Sequence, residues 1–375
     1  MKIVIASDSF KGSLASIEVA QSIEMGILDV FPSCDIVKVA VADGGEGTMD
    51  ALCQSLGGKV VRIPVEDPIG RTINASYVIL EDGNTAVLEM SSASGLTLLT
   101  PAERNPMLTS TYGTGQLIDD AIGRGCRRFL VGIGGSATND AGMGMLKALG
   151  YRFLDADGNE LSGAGASLSK VCGIDCSGVS QAVRDSEFIV ACDVDSPLYG
   201  PDGAAYVFAP QKGADADKVA FLDSALRNYE LAVKNSVGVD FAADKGSGAA
   251  GGMGYGFRVF LGATLRSGAK TVLDICGFDE RAARADVIIT GEGRFDSQSL
   301  MGKVPSEVIG RAGGKPVIVL CGMSLLDSAE GVAAIVETNP LHLPFEQVLA
   351  FCKESLYTAV SGDVADFLKK FEKKY

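Results

Sequence analysis

Residues 129–149 read FLVGIGGSATNDAGMGMLKAL. Phe129–Ile133 is an apolar run of the length of one buried strand. The chain then crosses Gly134-Gly135-Ser136-Ala137-Thr138-Asn139-Asp140 and returns to an apolar pattern that predicts a helix near 140–149. Strand, glycine-rich loop and helix together form the repeating unit of open parallel sheets. Such sheets bind ligands in the loops at the carboxyl ends of their strands.

The same grammar recurs on both sides of this stretch. Lys2–Ala6 is a strand-like run followed by Asp8, Lys11 and a helix whose apolar face holds Leu14, Ile17, Ala20, Ile23 and Ile27, with Ser13 as the expected N-cap. Ile36–Val41 leads into Asp43-Gly44-Gly45-Glu46, a second helix and a third strand near Lys59–Val65. Residues 72–95 change character. NASYVIL and TAVLEMS flank the turn signal Glu81-Asp82-Gly83-Asn84 and read as an antiparallel pair. Glu187–Cys192 runs into Asp193, and a long helix follows near 215–236. After a glycine-rich run at 246–256 the strand–helix alternation returns: Asp286–Thr290 precedes Gly291-Glu292-Gly293-Arg294, Asp296 and Gly302-Lys303. The pattern predicts an α/β protein, with a discontinuous Rossmann-like doubly wound parallel sheet domain over 1–66 and 268–375. A second, mixed α/β domain over 67–267 is inserted in it.

Composition narrows the chemistry. A chain of 375 residues is long enough for roughly two domains at ~150 residues each. Its 47 glycines gather in short loops after apolar runs, where backbone must approach a ligand or turn tightly. A net charge of −14 argues against nucleic acid, which attracts basic surfaces. Nine cysteines without a paired framework read as reduced core residues; Cys172 and Cys176 have no histidine nearby to complete a zinc site. The chain begins on a strand rather than a signal peptide, and no apolar run reaches the ~18 residues of a membrane span, so a cytoplasmic protein is expected. The sole histidine, His342, sits between two leucines, which leaves acid–base work to carboxylates and lysines.

Taken together, the strand-end residues form the inventory of phosphoryl transfer. Glycine-rich loops offer amides to phosphates, cations neutralise transferred charge, and aspartates hold Mg²⁺ or accept a proton. Each residue also has an ordinary structural use. Asp8 or Asp43 could cap a turn, and Asn139 and Asp140 sit where an N-cap belongs. Asp193 could make an Asx-turn, GGMG at 251–254 could be a tight helix contact, and Lys11, Lys212 and Lys303 could be surface lysines. A Walker A sequence is absent. Gly132-Ile-Gly134-Gly-Ser-Ala137 fits GxGxxA, with Asp155 where a ribose-binding acid belongs, so a nicotinamide-dependent oxidoreductase is the second reading.

The runs IASDSFKGS, ADGGEGTMDAL, GIGGSATNDAGMGML, ACDVDSPLYGPDGAA, APQKGA, GAAGGMG and ITGEGRFDSQSLMGKVP, in this order from residue 1 to about 320, resemble the glycerate kinase family of the bacterial two-domain type. The resemblance implies an ATP- and Mg²⁺-dependent kinase acting on D-glycerate, with its active site in a cleft between the two domains. The expected product is 2-phosphoglycerate, with 3-phosphoglycerate the alternative. It further implies Asp8, Asp43 and Asp193 as carboxylates for Mg²⁺ or for deprotonating the glycerate hydroxyl. Lys11, Arg294 and Lys303 would contact phosphate or the glycerate carboxylate. Gly134, Gly135, Ser136, Asn139 and Asp140 would form an anion-binding loop for ATP, with Gly251, Gly252 and Glu292 nearby and Asp296 supporting the site. Arg71, Thr111, Thr114 and Lys212 are the remaining substrate candidates. The sequence departs from the family pattern at Ser7, usually proline, at Phe295, usually isoleucine, and in a shortened segment around 322–331. Oligomeric state is not fixed by these residues; a homodimer is the assembly to test.

Overall fold

The computed structural model describes residues 1–10, 12–39, 41–42, 45, 47–339, 341 and 343–372. Lys11, Asp43 and His342 lie outside these residues. The strands, in chain order, are β1 (Lys2–Ile5), β2 (Asp35–Lys38), β3 (Gly58–Glu66), β4 (Thr72–Leu80), β5 (Thr85–Glu89), β6 (Arg128–Gly132), β7 (Arg152–Leu154), β8 (Gly173–Asp175), β9 (Glu187–Ala191), β10 (Thr264–Arg266), β11 (Val287–Phe295), β12 (Val317–Ser324) and β13 (Val332–Glu337). The chain divides into two compact units. One comprises Met1–Asp43, Asp50–Leu56 and Ala269–Tyr375, the other Gly44–Met49 and Gly57–Gly268.

The first unit is built on a five-stranded sheet in the order β13-β12-β11-β1-β2, with every pairing parallel. Its central strands explain the continuous apolar runs. Ile3, Val4 and Ile5 in β1, like Val287, Ile288 and Ile289 in β11, are fully buried because helices cover both faces of a parallel sheet. The helix Ser16–Val30 buries Val19, Ala20, Ile23 and Ile27, a 3.6-period stripe. These side chains meet Ile3, Ile5, Val360 and Leu368 in one apolar core. Gly26 lets this helix approach the 360–364 segment closely; a Cβ there would sit 2.8 Å from Val360 Cγ1. Ser13 is not the N-cap. Its hydroxyl donates to the Phe10 carbonyl, the helix starts three residues later, and the Glu18 carboxylate accepts from the Ala15 amide instead.

The second unit has a six-stranded mixed sheet, β10-β9-β6-β5-β4-β3, and a small antiparallel pair, β7-β8. The β4–β5 pair is antiparallel about a turn in which Asp82 accepts from the Asn84 and Thr85 amides. Beyond β5 the sheet is parallel through β6, β9 and β10. Strand β3 lies here, paired antiparallel with β4 from Gly58↔Leu80 to Glu66↔Thr72. The sequence placed it with the first unit, because a strand-like run carries no mark of its partner. The core gathers aromatic side chains such as Phe129 stacked on Phe188, centroids 4.8 Å apart. The long helix, Ala216–Val237, is capped by Asp215, which accepts from the Lys218 amide, and closed by Gly238 in the left-handed region. No described helix is long and apolar enough to cross a membrane.

Candidate active site

In the second unit four parallel strands end level with one another. The registers Glu89↔Gly132, Gly132↔Ala191 and Ala191↔Arg266 put the ends of β5, β6, β9 and β10 in one row. The loops that follow them therefore share one edge: 90–94, 133–140, 192–193 and 267–268. A fifth piece, 45–49, joins them. A Cβ on Gly134 would lie 3.4 Å from Gly45 Cα, and the Met49 amide donates to Glu89 Oε1 at 2.9 Å. Gly45 and Gly134 thus meet, some ninety residues apart in the chain.

Gly134 and Gly135 form the exposed tip of the β6 loop, and Gly135 takes the left-handed backbone (φ +71°) that glycine tolerates. The amides of Gly134, Gly135 and Ser136 donate to no acceptor among the described residues. The Asn139 amide group and Thr138 Oγ1 are buried and likewise without partners among the described residues. Below the tip the loop is held by other elements. Leu96 donates to the Gly135 carbonyl and Ala137 to the Ser94 carbonyl, while the Lys212 ammonium donates to Ser136 Oγ (2.7 Å) and the Thr138 carbonyl (2.6 Å). Lys212 is 1% exposed, so the surface reading of this lysine is overturned. Burial pushes its pKa down to about 7.

Asp140 is fully buried and accepts from the Thr111 amide and hydroxyl and from the Gly142 and Gly144 amides. Burial pushes its carboxyl upward, against these four donors. Its bonds tie the β6 loop to the TYGTG segment. The Thr111 hydroxyl, spent on Asp140, in turn accepts from the Met145 amide. Thr114 Oγ1 shares a hydrogen bond with Ser94 Oγ at 2.7 Å. Both threonines are fully buried and stitch elements together. Arg71 is also engaged. Its Nε donates to Asp67, Nη1 to Glu103 and Nη2 to the Leu98 carbonyl. These contacts give each of the three a structural role.

Gly251 and Gly252 pack under the same loop. The helix Ala249–Leu261 opens with three left-handed residues, Ala250, Gly251 and Gly252, and the Gly251 carbonyl accepts from Ala141, itself at φ 52°. A Cβ on Gly251 would lie 2.0 Å from the Thr138 carbonyl oxygen. Gly251→Ala is expected to cost about 3–5 kcal/mol, combining left-handed strain with a backbone overlap. Urea denaturation reads this directly, and an unchanged midpoint would refute the packing argument.

Asp193 is exposed directly after β9, where its Oδ1 accepts from the Gly268 amide at 3.1 Å. Glu89, in the same row and 9% exposed, went unnoticed in the sequence. The same cue that marked Asp193, an acid closing an apolar run, was present. TAVLEMS was read only as one arm of a hairpin, though, so its carboxyl end was not placed beside that of β6.

In the first unit Asp8 follows β1 and Glu292 lies in β11, and both are nine-tenths buried. The Asp8 amide donates to the Gly291 carbonyl, and its Oδ1 accepts from the Ser9 amide at 2.7 Å. Arg294 is exposed, its Nε 3.5 Å from Asp296 Oδ2. Asp296 caps the 297–300 turn, accepting from the Gln298 amide. Lys303 is exposed at the start of the helix Val304–Gly310. The two departures here are absorbed locally. Ser7 accepts from the Ser16 hydroxyl through its carbonyl, and Phe295 is fully buried with Val319 and Cys321. Within neither unit do three His, Cys, Asp or Glu side chains among the described residues group as a cation cage.

Fold and strand-end loops together define an α/β protein of the open-sheet type, with glycine-rich loops at the carboxyl ends of parallel strands. The glycerate kinase family matches residues 3–369. A glycerate kinase of Bacillus subtilis (strain 168) is 42% identical, covering 98% of both chains. A glycerate 2-kinase of Escherichia coli (strain K12) is 46% identical over 87% of this chain and 86% of its own. The crystal structure of a protein assigned as glycerate kinase 2 from Salmonella typhimurium LT2 superposes with a TM-score of 0.91, at 42% identity over 100% of this chain and 99% of that one. The chain belongs to the glycerate kinase family. It is accordingly an enzyme, a kinase that phosphorylates glycerate with ATP as co-substrate. The oxidoreductase reading is set aside. Asp155, its ribose-binding acid, instead closes a surface turn by accepting from the Asp157 and Asn159 amides.

Proposed function

We propose that this kinase transfers the γ-phosphoryl group of ATP to the 2-hydroxyl of D-glycerate, giving 2-phosphoglycerate and ADP, and that it acts in the cytoplasm with Mg²⁺. The observation that carries the reading is the exposed Gly134–Gly135 tip. Its amides, which donate to no acceptor among the described residues, with a buried lysine beneath them, suit the oxygens of a polyphosphate. The name of the 46% identical Escherichia coli relative supports the 2-position. The cysteines resolved here are all free, as a reducing compartment would leave them.

Asp193 stands on the same edge as this loop, exposed and able to accept the hydroxyl proton as the new O–P bond forms. Asp8 and Asp43 are the acids proposed for Mg²⁺, whose preference for oxygen ligands Asp8 meets with a carboxylate nine-tenths buried. The ion supplies charge neutralisation on the phosphates when bound. Arg294 and Lys303, exposed at the end of β11 and beyond it, are the cations proposed for the glycerate carboxylate or the phosphates.

The test is ADP release with ATP, Mg²⁺ and D-glycerate, followed by phosphorus NMR of the product. The proposal expects turnover that needs glycerate, stops on chelation of Mg²⁺ and yields 2-phosphoglycerate. A 3-phosphoglycerate product would overturn the position, and full activity in chelator would overturn the metal.

A further inference from the structure

Lys212 is held in a way that a purely structural lysine would not need. Its ammonium lies among buried groups 74 and 76 residues away in sequence, and both acceptors, Ser136 Oγ and the Thr138 carbonyl, are uncharged. The carboxylate it senses is Asp140, already accepting from four other donors. Among the described residues no other charged group acts on the ammonium. A neutral amine would keep both contacts, donating to Thr138 and accepting from the Ser136 hydroxyl. Both protonation states therefore fit one geometry.

We propose that Lys212 is the positioning residue of the 134–139 loop, and that it takes up a proton when an anionic nucleotide binds there. The inference rests on the reading of this loop as the phosphate site. An unliganded loop leaves the buried ammonium undercompensated, and its pKa falls to about 7. Phosphate oxygens against Gly134–Ser136 would add negative charge a few ångströms away and favour the ammonium. The sign follows. Below pH 7 Lys212 is charged before and after binding, and affinity is full. As pH rises through 7 the free loop loses its charge first, binding must recruit a proton, and affinity falls until the bound-state pKa is passed.

The experiment is calorimetric titration of the enzyme with ATP and Mg²⁺, without glycerate, in buffers of different ionisation heat. At pH 8 the uptake is expected to approach one proton per ATP, and at pH 6 to be small. Lys212→Arg, charged at every pH, should bind without uptake. Ser136→Ala, a one-oxygen change that removes one acceptor of the ammonium, should move the onset of uptake to lower pH. ATP binding at pH 8 with no uptake would overturn the proposal and leave the phosphate site standing, as would undiminished uptake in Lys212→Arg. Should Gly134→Asp, which sets a like charge on the loop tip, leave ATP affinity unchanged, the phosphate-site reading itself fails and the proposal with it.

Discussion

Replacing Asp140 by alanine is expected to cost the protein about 3–5 kcal/mol, with loss of nucleotide binding. The carboxylate is fully buried and serves three amides and a hydroxyl. Removing it strands those donors away from water, at ~1–3 kcal/mol for each that finds no new partner. It also leaves the Lys212 ammonium without the one carboxylate among the described residues that stabilises it. Asp140→Asn is the milder change, since its carbonyl oxygen can still accept from the Thr111 amide. Urea denaturation followed by ATP titration separates the two effects. A loss below ~1 kcal/mol for Asp140→Ala would show that the loop is held by its other contacts.

Asp193→Asn is expected to behave in the opposite manner: stability nearly unchanged, turnover reduced roughly 100-fold or more. The side chain is exposed, and an asparagine oxygen can still accept from the Gly268 amide, so the strand end keeps its shape. What is lost is a group able to carry away the hydroxyl proton. The drop should fall on kcat, with ATP affinity retained, because the β6 loop is untouched. An unchanged kcat would remove Asp193 from the mechanism and move the role to Asp8 or Asp43. Asp8→Asn in parallel discriminates them, through a raised requirement for Mg²⁺ if Asp8 serves the metal.

How much of this was legible beforehand differs residue by residue. The strands around Ile3–Ile5, Phe129–Val131 and Val287–Ile289 could be read because a strand buried on both faces must be apolar at consecutive positions. The loops after them could be read as a class because acids and glycines end these runs. The roles within the loops could not. Asp140 and Asp193 look alike in sequence, each an acid near a strand end, yet one is enclosed by four donors and the other faces solvent. Arg71 looked suited to a substrate carboxylate, and its ion pairs with Asp67 and Glu103 were not legible in the sequence. Glu89 was hidden by the hairpin to which it also belongs.

The sequence by itself determined the α/β class, the order of the strand-end loops and the family. These depend on local periodicity and on runs of adjacent residues, which survive without knowledge of what lies opposite. Tertiary structure alone decided that β3 pairs with β4, that Gly45 comes against Gly134, and that Lys212 is enclosed beneath Ser136 and Thr138. A strand's partner and a lysine's solvent are supplied by segments tens of residues away. The desolvation that moves a proton affinity arises only once those segments have closed over it.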